Sequence, residues 1–434
     1  MKSKFSIAHG GHGCIPIAIG CRFMRRKKAI CTEKRIDTNR NGTLRKLILP
    51  DRVLFYASGK AILPLLDKRD RFDNFLYLDP WREQNIATDL NLKYYMGNFM
   101  GDVRKSTTST RIIWDSGGLQ LARGRIDFID PRKLAEKLTK NSIYAGVTLD
   151  IMIPMKSRNY AKRHKIGGIL TRENTKLIKN SVNGTKILNI IHGYSIEARK
   201  IWYENSVVNK EDVNWCLADI RRMPSVEEKS YTLLSDLDSL KQNFKPKDLW
   251  LHLLGVASHK YSVVLIPVSS KVGKITADAT TALAGGNNGL MFIPPFHGTL
   301  STWRLGKFND SWGSLIPCNC PVCQIVGSTW VYSKLSLPLI FHNIAVLNGW
   351  ADNLSAVFTD EGIDGYLSFL RKMGYGERLV NVIDKTWESI ESGKNKLSAL
   401  RSTFGYGNSF SISLSDKEKH FEKVVKTYRK FHKI

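Results

Sequence analysis

The amino-acid sequence predicts an α/β fold: a TIM (β/α)8 barrel with a small zinc-binding insertion and a helical, basic C-terminal extension. Three observations predict it. From about residue 50, short apolar runs alternate with polar stretches of helical length, as buried parallel strands and their crossovers require. Several runs end in a residue able to do chemistry, and the C-terminal strand ends form the active face of a parallel barrel. Cysteines then crowd into Cys318-Asn319-Cys320-Pro321-Val322-Cys323, a metal-binding pattern.

Residues 1–48 are glycine-rich and then basic, with Arg22, Arg25, Arg26, Lys27, Lys28, Lys34, Arg35, Arg40, Arg45 and Lys46. Such a segment is a solvated arm, an extension that binds a polyanion, or both. The apolar stretch Ile15–Ile19 is short and interrupted, unlike a signal peptide. His9, His12, Cys14 and Cys21 could form a second metal site, but their spacing is loose and a local turn with unligated side chains is the preferred reading.

The expected strands are Val53–Ala57, Phe75–Leu78, Arg111–Trp114, Ala145–Leu149, Ile187–Ile191, Val213–Ala218, Trp250–Val256 and Ile275–Ala277. They put Asp115, Asp150, His192 and Asp278 at strand ends. Ser262–Val268 is strand-like by propensity yet falls where the barrel needs a crossover helix. The barrel is expected over residues 49–345, with the zinc-binding subdomain at about 304–345. Residues 346–434 read as helical. In Asp416–Ile434, Phe421, Val424, Val425 and Tyr428 form an apolar stripe expected to pack on the barrel, with lysines on the outer face.

Lys and Arg outnumber Asp and Glu by 66 to 39, a net charge of +27. Charge of this size points to a polyanionic partner, a nucleic acid. No apolar run has membrane-spanning length, so no membrane partner is expected. The seven cysteines, three clustered and four scattered, do not form a disulfide framework. They suggest a reducing compartment, the cytoplasm.

Cys318, Cys320 and Cys323 can wrap a tetrahedral Zn²⁺, which prefers sulfur and imidazole. Pro317 and Pro321 stiffen the turn, and His342, separated from Cys323 by 18 intervening residues, is the expected fourth ligand. Four protein ligands leave no open position, so the zinc is expected to be structural.

Other motifs are weak one by one. Asp115-Ser116-Gly117-Gly118-Leu119-Gln120 follows a strand, and paired glycines admit a ligand close to the backbone. It also reads as a tight turn with Ser116 as a helix cap. Asp278, in Ala277-Asp278-Ala279-Thr280-Thr281, is equally the residue type that caps a following helix. His192-Gly193-Tyr194 and Leu254-Gly255-Val256 are further strand-end turns, and Gly285–Gly289 adds another glycine cluster.

Taken in order, these pieces resemble the tRNA-guanine transglycosylase superfamily over about Val53 to His342. The resemblance implies a TIM barrel with a zinc-binding insertion and a double-displacement base exchange. It implies Asp278 as the nucleophile on the sugar and Asp115 as the proton shuttle at the base. It implies Asp150 as the base-recognition residue, within a pocket of Ser116, Gly117, Gly118, Gln120, His192, Gly193, Leu254 and Gly255.

The departures have a direction. Tyr194 and His192 stand where the tRNA enzymes carry Gln-Gly-Gly, and Leu119 stands where they carry an aromatic residue. Ile151–Pro154 replaces an acidic-Cys pair, Thr280-Thr281-Ala282 replaces Pro-Thr-Arg, and the chain between Gln120 and Asp150 is shorter. These features are more similar to the DpdA-type DNA-guanine transglycosylases, which insert a 7-deazaguanine such as 7-cyano-7-deazaguanine into DNA alongside other proteins of a DNA-modification system. The alternatives are tRNA as the substrate, or a non-catalytic nucleic-acid-binding partner subunit on the same barrel. A sugar-directed glycosidase fits neither the zinc motif nor the charge.

Overall fold

The computed structural model describes residues 53–58, 94–99, 111–154, 159–243, 245–256, 259–279, 281–293, 300–304, 318, 320, 322–323, 336–394 and 414–434. Its centre is a parallel α/β barrel. The strands are β1 (Val53–Ser58), β2 (Tyr94–Asn98), β3 (Arg111–Asp115), β4 (Ala145–Val147), β5 (Lys186–Ile191), β6 (Asn214–Leu217), β7 (Trp250–Leu253) and β8 (Lys274–Ala279). From β2 to β8 each strand pairs in parallel with the next in sequence. β1 pairs with both β2 and β8, and Tyr56 stands opposite Asp278 in that register.

From β3 onward, helices follow the strands: α1 (Gly118–Ala122) and α2 (Pro131–Lys140), then α3 (Tyr160–Ser181), α4 (Ile196–Ser206), α5 (Val226–Lys241), α6 (His259–Ser269) and α7 (Thr281–Asn287). Local chemistry starts several of them. Asp130 accepts from the Arg132 amide with Pro131 in the first turn of α2, Ser195 caps α4, and Ser225 caps α5 ahead of Glu228. Side chains of β3 to β8 are almost wholly buried, so these strands read as continuous apolar runs.

One expectation changes here, and one open reading is decided. The strand between β1 and β3 is Tyr94–Asn98, whereas Phe75–Leu78 lies outside the described residues. Tyr94 and Tyr95 favour a strand, but Gly97 and Asn98 cut the apolar run short and hide it from a hydropathy reading. Ser262–Val268 is helical, within α6. Tyr261 to Val268 are all buried, and α6 packs against two later helices, α8 (Ser336–Lys372) and α9 (Glu377–Ser392). Helix propensities differ by only ~0.7 kcal/mol per ordinary residue, so burial on every side decides the outcome.

After α7 comes an antiparallel pair, β9 (Leu290–Ile293) and β10 (Ser301–Arg304). α8 runs through the expected subdomain boundary at 345 and breaks at Gly362, whose φ is 66°. The last helix, α10 (Leu414–His432), packs on α1 and α3. Its expected stripe is buried, and the Tyr428 hydroxyl donates to the Ile129 carbonyl at 2.8 Å. Lys419, Lys423, Lys426, Arg429 and Lys430 face outward. Among the described residues no helix is long and apolar enough to cross a membrane. The basic arm of residues 1–48, with its His9, His12, Cys14 and Cys21 turn, lies outside the described residues.

Candidate active site and metal centre

The C-terminal strand ends collect the predicted carboxylates. Asp115 ends β3, Asp150 follows β4, His192 follows β5 and Asp278 lies near the end of β8. Asp278 does not cap α7, which begins only at Thr281; its carboxylate instead accepts the Gly255 amide at 2.6 Å. That amide comes from the turn after β7, where Gly255 takes a φ of +69°. A Cβ there would sit 2.7 Å from the Arg221 side chain, so Arg221 lies against this turn. Burial raises the Asp278 carboxyl, the Gly255 amide opposes that, and the Asp115 charge adds to it, leaving the pKa at about 7. His252 approaches Asp278 at 3.8 Å, but burial lowers its pKa to about 3, so this is not an ion pair.

Asp150 is buried and held from two sides. It accepts the Ser116 hydroxyl at 3.3 Å through Oδ1 and His192 Nε2 at 2.5 Å through Oδ2. Gly118 makes the room, since a Cβ there would lie 1.8 Å from Asp150 Oδ1. The glycine pair of the Asp-Ser-Gly-Gly turn therefore has two different jobs. Gly117 supplies a left-handed residue, with φ of +87°, to start α1, and Gly118 lets the helix meet the carboxylate. Ser116 binds Asp150 and Gly117 occupies the cap position. The Gln120 carboxamide oxygen is buried without a hydrogen-bond partner among the described residues.

His192 uses both ring nitrogens. Nδ1 contacts Asp219 at 2.9 Å, and the Gly193 amide donates to the same carboxylate at 3.3 Å. Burial alone would strip the imidazole of its proton, but Asp150 and Asp219 together push its pKa up to about 9. Asp219 is itself held well below the ordinary carboxylate value; burial works against this, and His192 and then Arg222 outweigh it. The amides of Gly193 and Gly255 are thus each committed to a carboxylate of the site. Leu254 closes the same turn, its amide bonded to the Leu217 carbonyl.

A buried ion pair fixes this arrangement from behind. Arg199 reaches Asp236 at 2.7 and 2.5 Å and also donates to the carbonyls of Gly193 and Ala218. It thereby ties the turn after β5 to the end of β6, where Asp219 begins its own turn. Asp219 was findable, since it follows the Val213–Ala218 run as the other acids follow theirs. Arg199 and Asp236 lie inside helices and carry no such signal.

The cysteine motif and His342 also meet. The ligand atoms of Cys318, Cys320, Cys323 and His342 all lie within 4.8 Å of one another and could hold a metal ion. His342 Nδ1 is 3.3 Å from Cys320 Sγ and 3.1 Å from Cys323 Sγ. Tetrahedral zinc distances would place such atoms roughly 3.6 Å apart, so the set fits with a small expansion. His342 Nε2 donates to the Phe292 carbonyl at 2.6 Å, which leaves Nδ1 to ligate. Asn343 bonds Phe292 and Leu290 and ties α8 to β9. Gly286 allows α7 to approach closely, because a Cβ there would be 2.4 Å from the Ile340 side chain. Gly286 thus serves packing between the Asp278 segment and the metal-bearing helix.

No protein-family model and no curated protein matches the chain.

Proposed function

We propose that the protein is a DNA-guanine transglycosylase that exchanges guanine in DNA for a 7-deazaguanine base. The single observation that carries this reading is the meeting of Asp115, Asp150 and Asp278 at the strand ends of one parallel barrel. We read that barrel as a (β/α)8 TIM barrel, with the crossovers between β1 and β3 falling outside the described residues.

In this mechanism an Asp278 carboxylate oxygen forms a bond to C1′ as the C1′–N9 bond to guanine breaks. The departing base takes a proton from Asp115, and a covalent glycosyl-enzyme remains. The incoming base gives its proton to Asp115 and attacks C1′, releasing Asp278 with net retention. Asp150 receives the edge of each base, with Ser116, Gly117, Gly118 and Gln120 around it. The Gly255 amide aims Asp278 and opposes protonation of its carboxylate. The burial that raises the Asp278 pKa also strips water from the carboxylate, which makes its ionised form a stronger nucleophile.

The net charge of +27 and the lysine face of α10 support a nucleic-acid substrate. A base inside a duplex must flip out or be locally unpaired to reach the strand ends. Cys318, Cys320, Cys323 and His342 would hold a structural zinc, whose ligands favour a reducing, cytoplasmic setting.

The test is to incubate the protein with labelled guanine or 7-cyano-7-deazaguanine and either plasmid DNA or tRNA. Label in DNA is the expected result. Label in tRNA alone moves the substrate to tRNA, and label in neither removes the exchange reading.

A further inference from the structure

We infer that Asp219, acting through His192, is a positioning residue that fixes Asp150 as an acceptor aimed at a base edge with two adjacent N–H donors. This rests on the base-exchange reading for its ligand, but the arrangement stands on distances alone.

Asp150, His192 and Asp219 form one buried line: carboxylate, imidazole, carboxylate. The two contacts are 2.5 and 2.9 Å, and all three side chains are at most 5% exposed. An imidazole that donates from both nitrogens is a cation, and the two flanking carboxylates favour that state of His192. Two anions and one cation leave a net negative charge, which Arg222 approaches through Asp219 at 3.6 Å.

The two carboxylates account for this charge, and Tyr194 and Arg222 face Asp219 from its other side. Asp150 and Asp219 flank it, and the Trp202 ring meets it edge-on at 4.9 Å. His164 lies beyond Trp202, with its own pKa lowered by burial. Arg199, on the far side of the Gly193 turn, is held by Asp236. Ser116 is the remaining donor to Asp150 among the described residues.

The consequence falls on the ligand. An ionised carboxylate offers about four lone-pair sites. His192 takes one on Oδ2 and Ser116 one on Oδ1, so among the described residues each oxygen keeps a lone pair. Two acceptors about 2.2 Å apart match an N–H and an NH2 on adjacent atoms, the bidentate pattern of a 2-amino-6-oxopurine and its 7-deaza analogue. If the imidazole were neutral it could donate to only one carboxylate. Asp150 would then lose its partner or its orientation, and a base lacking the 2-amino group would compete better. A Gln at position 192 keeps one donor to Asp150 but cannot pass Asp219's charge to it.

The experiment uses the full-length protein and the Asp219→Asn and His192→Gln variants. Guanine and hypoxanthine are titrated between pH 6 and 10, and exchange is measured as KM for guanine against kcat. The imidazole state of His192 is followed by nitrogen NMR. The wild type is expected to hold a charged imidazole to about pH 9 and to lose guanine affinity above it. Asp219→Asn is expected to move that loss toward neutral pH and raise KM roughly tenfold, with kcat changed by less than about threefold. His192→Gln should leave only the alkaline limb set by the base's own N–H and narrow the preference for guanine over hypoxanthine. A purely structural role would lower the melting temperature and kcat while leaving the pH profile and the guanine preference intact, and would overturn the inference. A neutral imidazole at pH 7.5 in a protein that still exchanges bases would overturn it while sparing the function. A wild type that binds no purine would overturn both.

Discussion

Gly118→Ala is the smallest change that reaches the proposed base site. The backbone at Gly118 is ordinary for a helix start, so an alanine meets no conformational strain there, and the effect is steric. The added carbon would fall 1.8 Å from Asp150 Oδ1, 2.5 Å from Cγ and 2.8 Å from Oδ2. Ordinary carbon–oxygen contact is roughly 3.3 Å, so the carboxylate or α1 must retreat by about 1.5 Å. That displacement is enough to break the 2.5 Å contact with His192 and the 3.3 Å bond from Ser116. Overpacking of this kind costs ~1–3 kcal/mol of stability, which a folded barrel survives. A misplacement of about 1 Å at a substrate-positioning group costs on the order of 10²-fold in rate. The assay is guanine incorporation into DNA, with KM and kcat separated and a melting curve alongside. The expected result is kcat/KM down about a hundredfold with only a modest fall in melting temperature. Wild-type exchange in Gly118→Ala would refute the claim that Asp150, in this position, receives the base.

Other perturbations follow from the same contacts. Exchange should rise with pH through about 7 as Asp278 ionises and fall through about 9 as His192 loses its proton, a bell-shaped kcat/KM profile. Because His192 is raised from 6.5 in the fold, its stabilisation is complete below pH 6.5 and lost as pH rises through about 9, which urea midpoints across that range would record. Asp236→Ala leaves Arg199 buried without its carboxylate and should cost ~3–5 kcal/mol, read as a lower urea midpoint. Cys320→Ser or a strong chelator should remove bound zinc, measured by atomic emission, and lower the melting temperature by destabilising the contact between α8 and β9.

The legible parts of this chain were those written locally. Asp115, Asp150, His192 and Asp278 each follow an apolar run, and a parallel barrel gathers such positions on one face. The metal cluster was legible because three ligands share six residues, with His342 alone supplied by a distant helix. Local signal runs out where tertiary packing outranks it. Ser262–Val268 has β-branched residues but sits between the barrel and two helices, so it is a helix buried on all sides. Tyr94–Asn98 forms a strand without a continuous apolar run. Asp219 followed a strand like the others, yet only the fold reveals that it and Asp150 share one imidazole. Arg199 and Asp236 are mid-helix residues whose burial no spacing announces.

The account depends most on Asp278 forming a bond to the sugar. The most direct measurement mixes wild-type protein and Asp278→Ala with a guanine-containing DNA, quenches with denaturant, and reads intact mass. The wild type should carry a covalent protein–DNA adduct with guanine lost, and Asp278→Ala should bind DNA yet show no adduct and no base incorporation. An Asp278→Ala protein that still forms the adduct or still incorporates base would contradict the account.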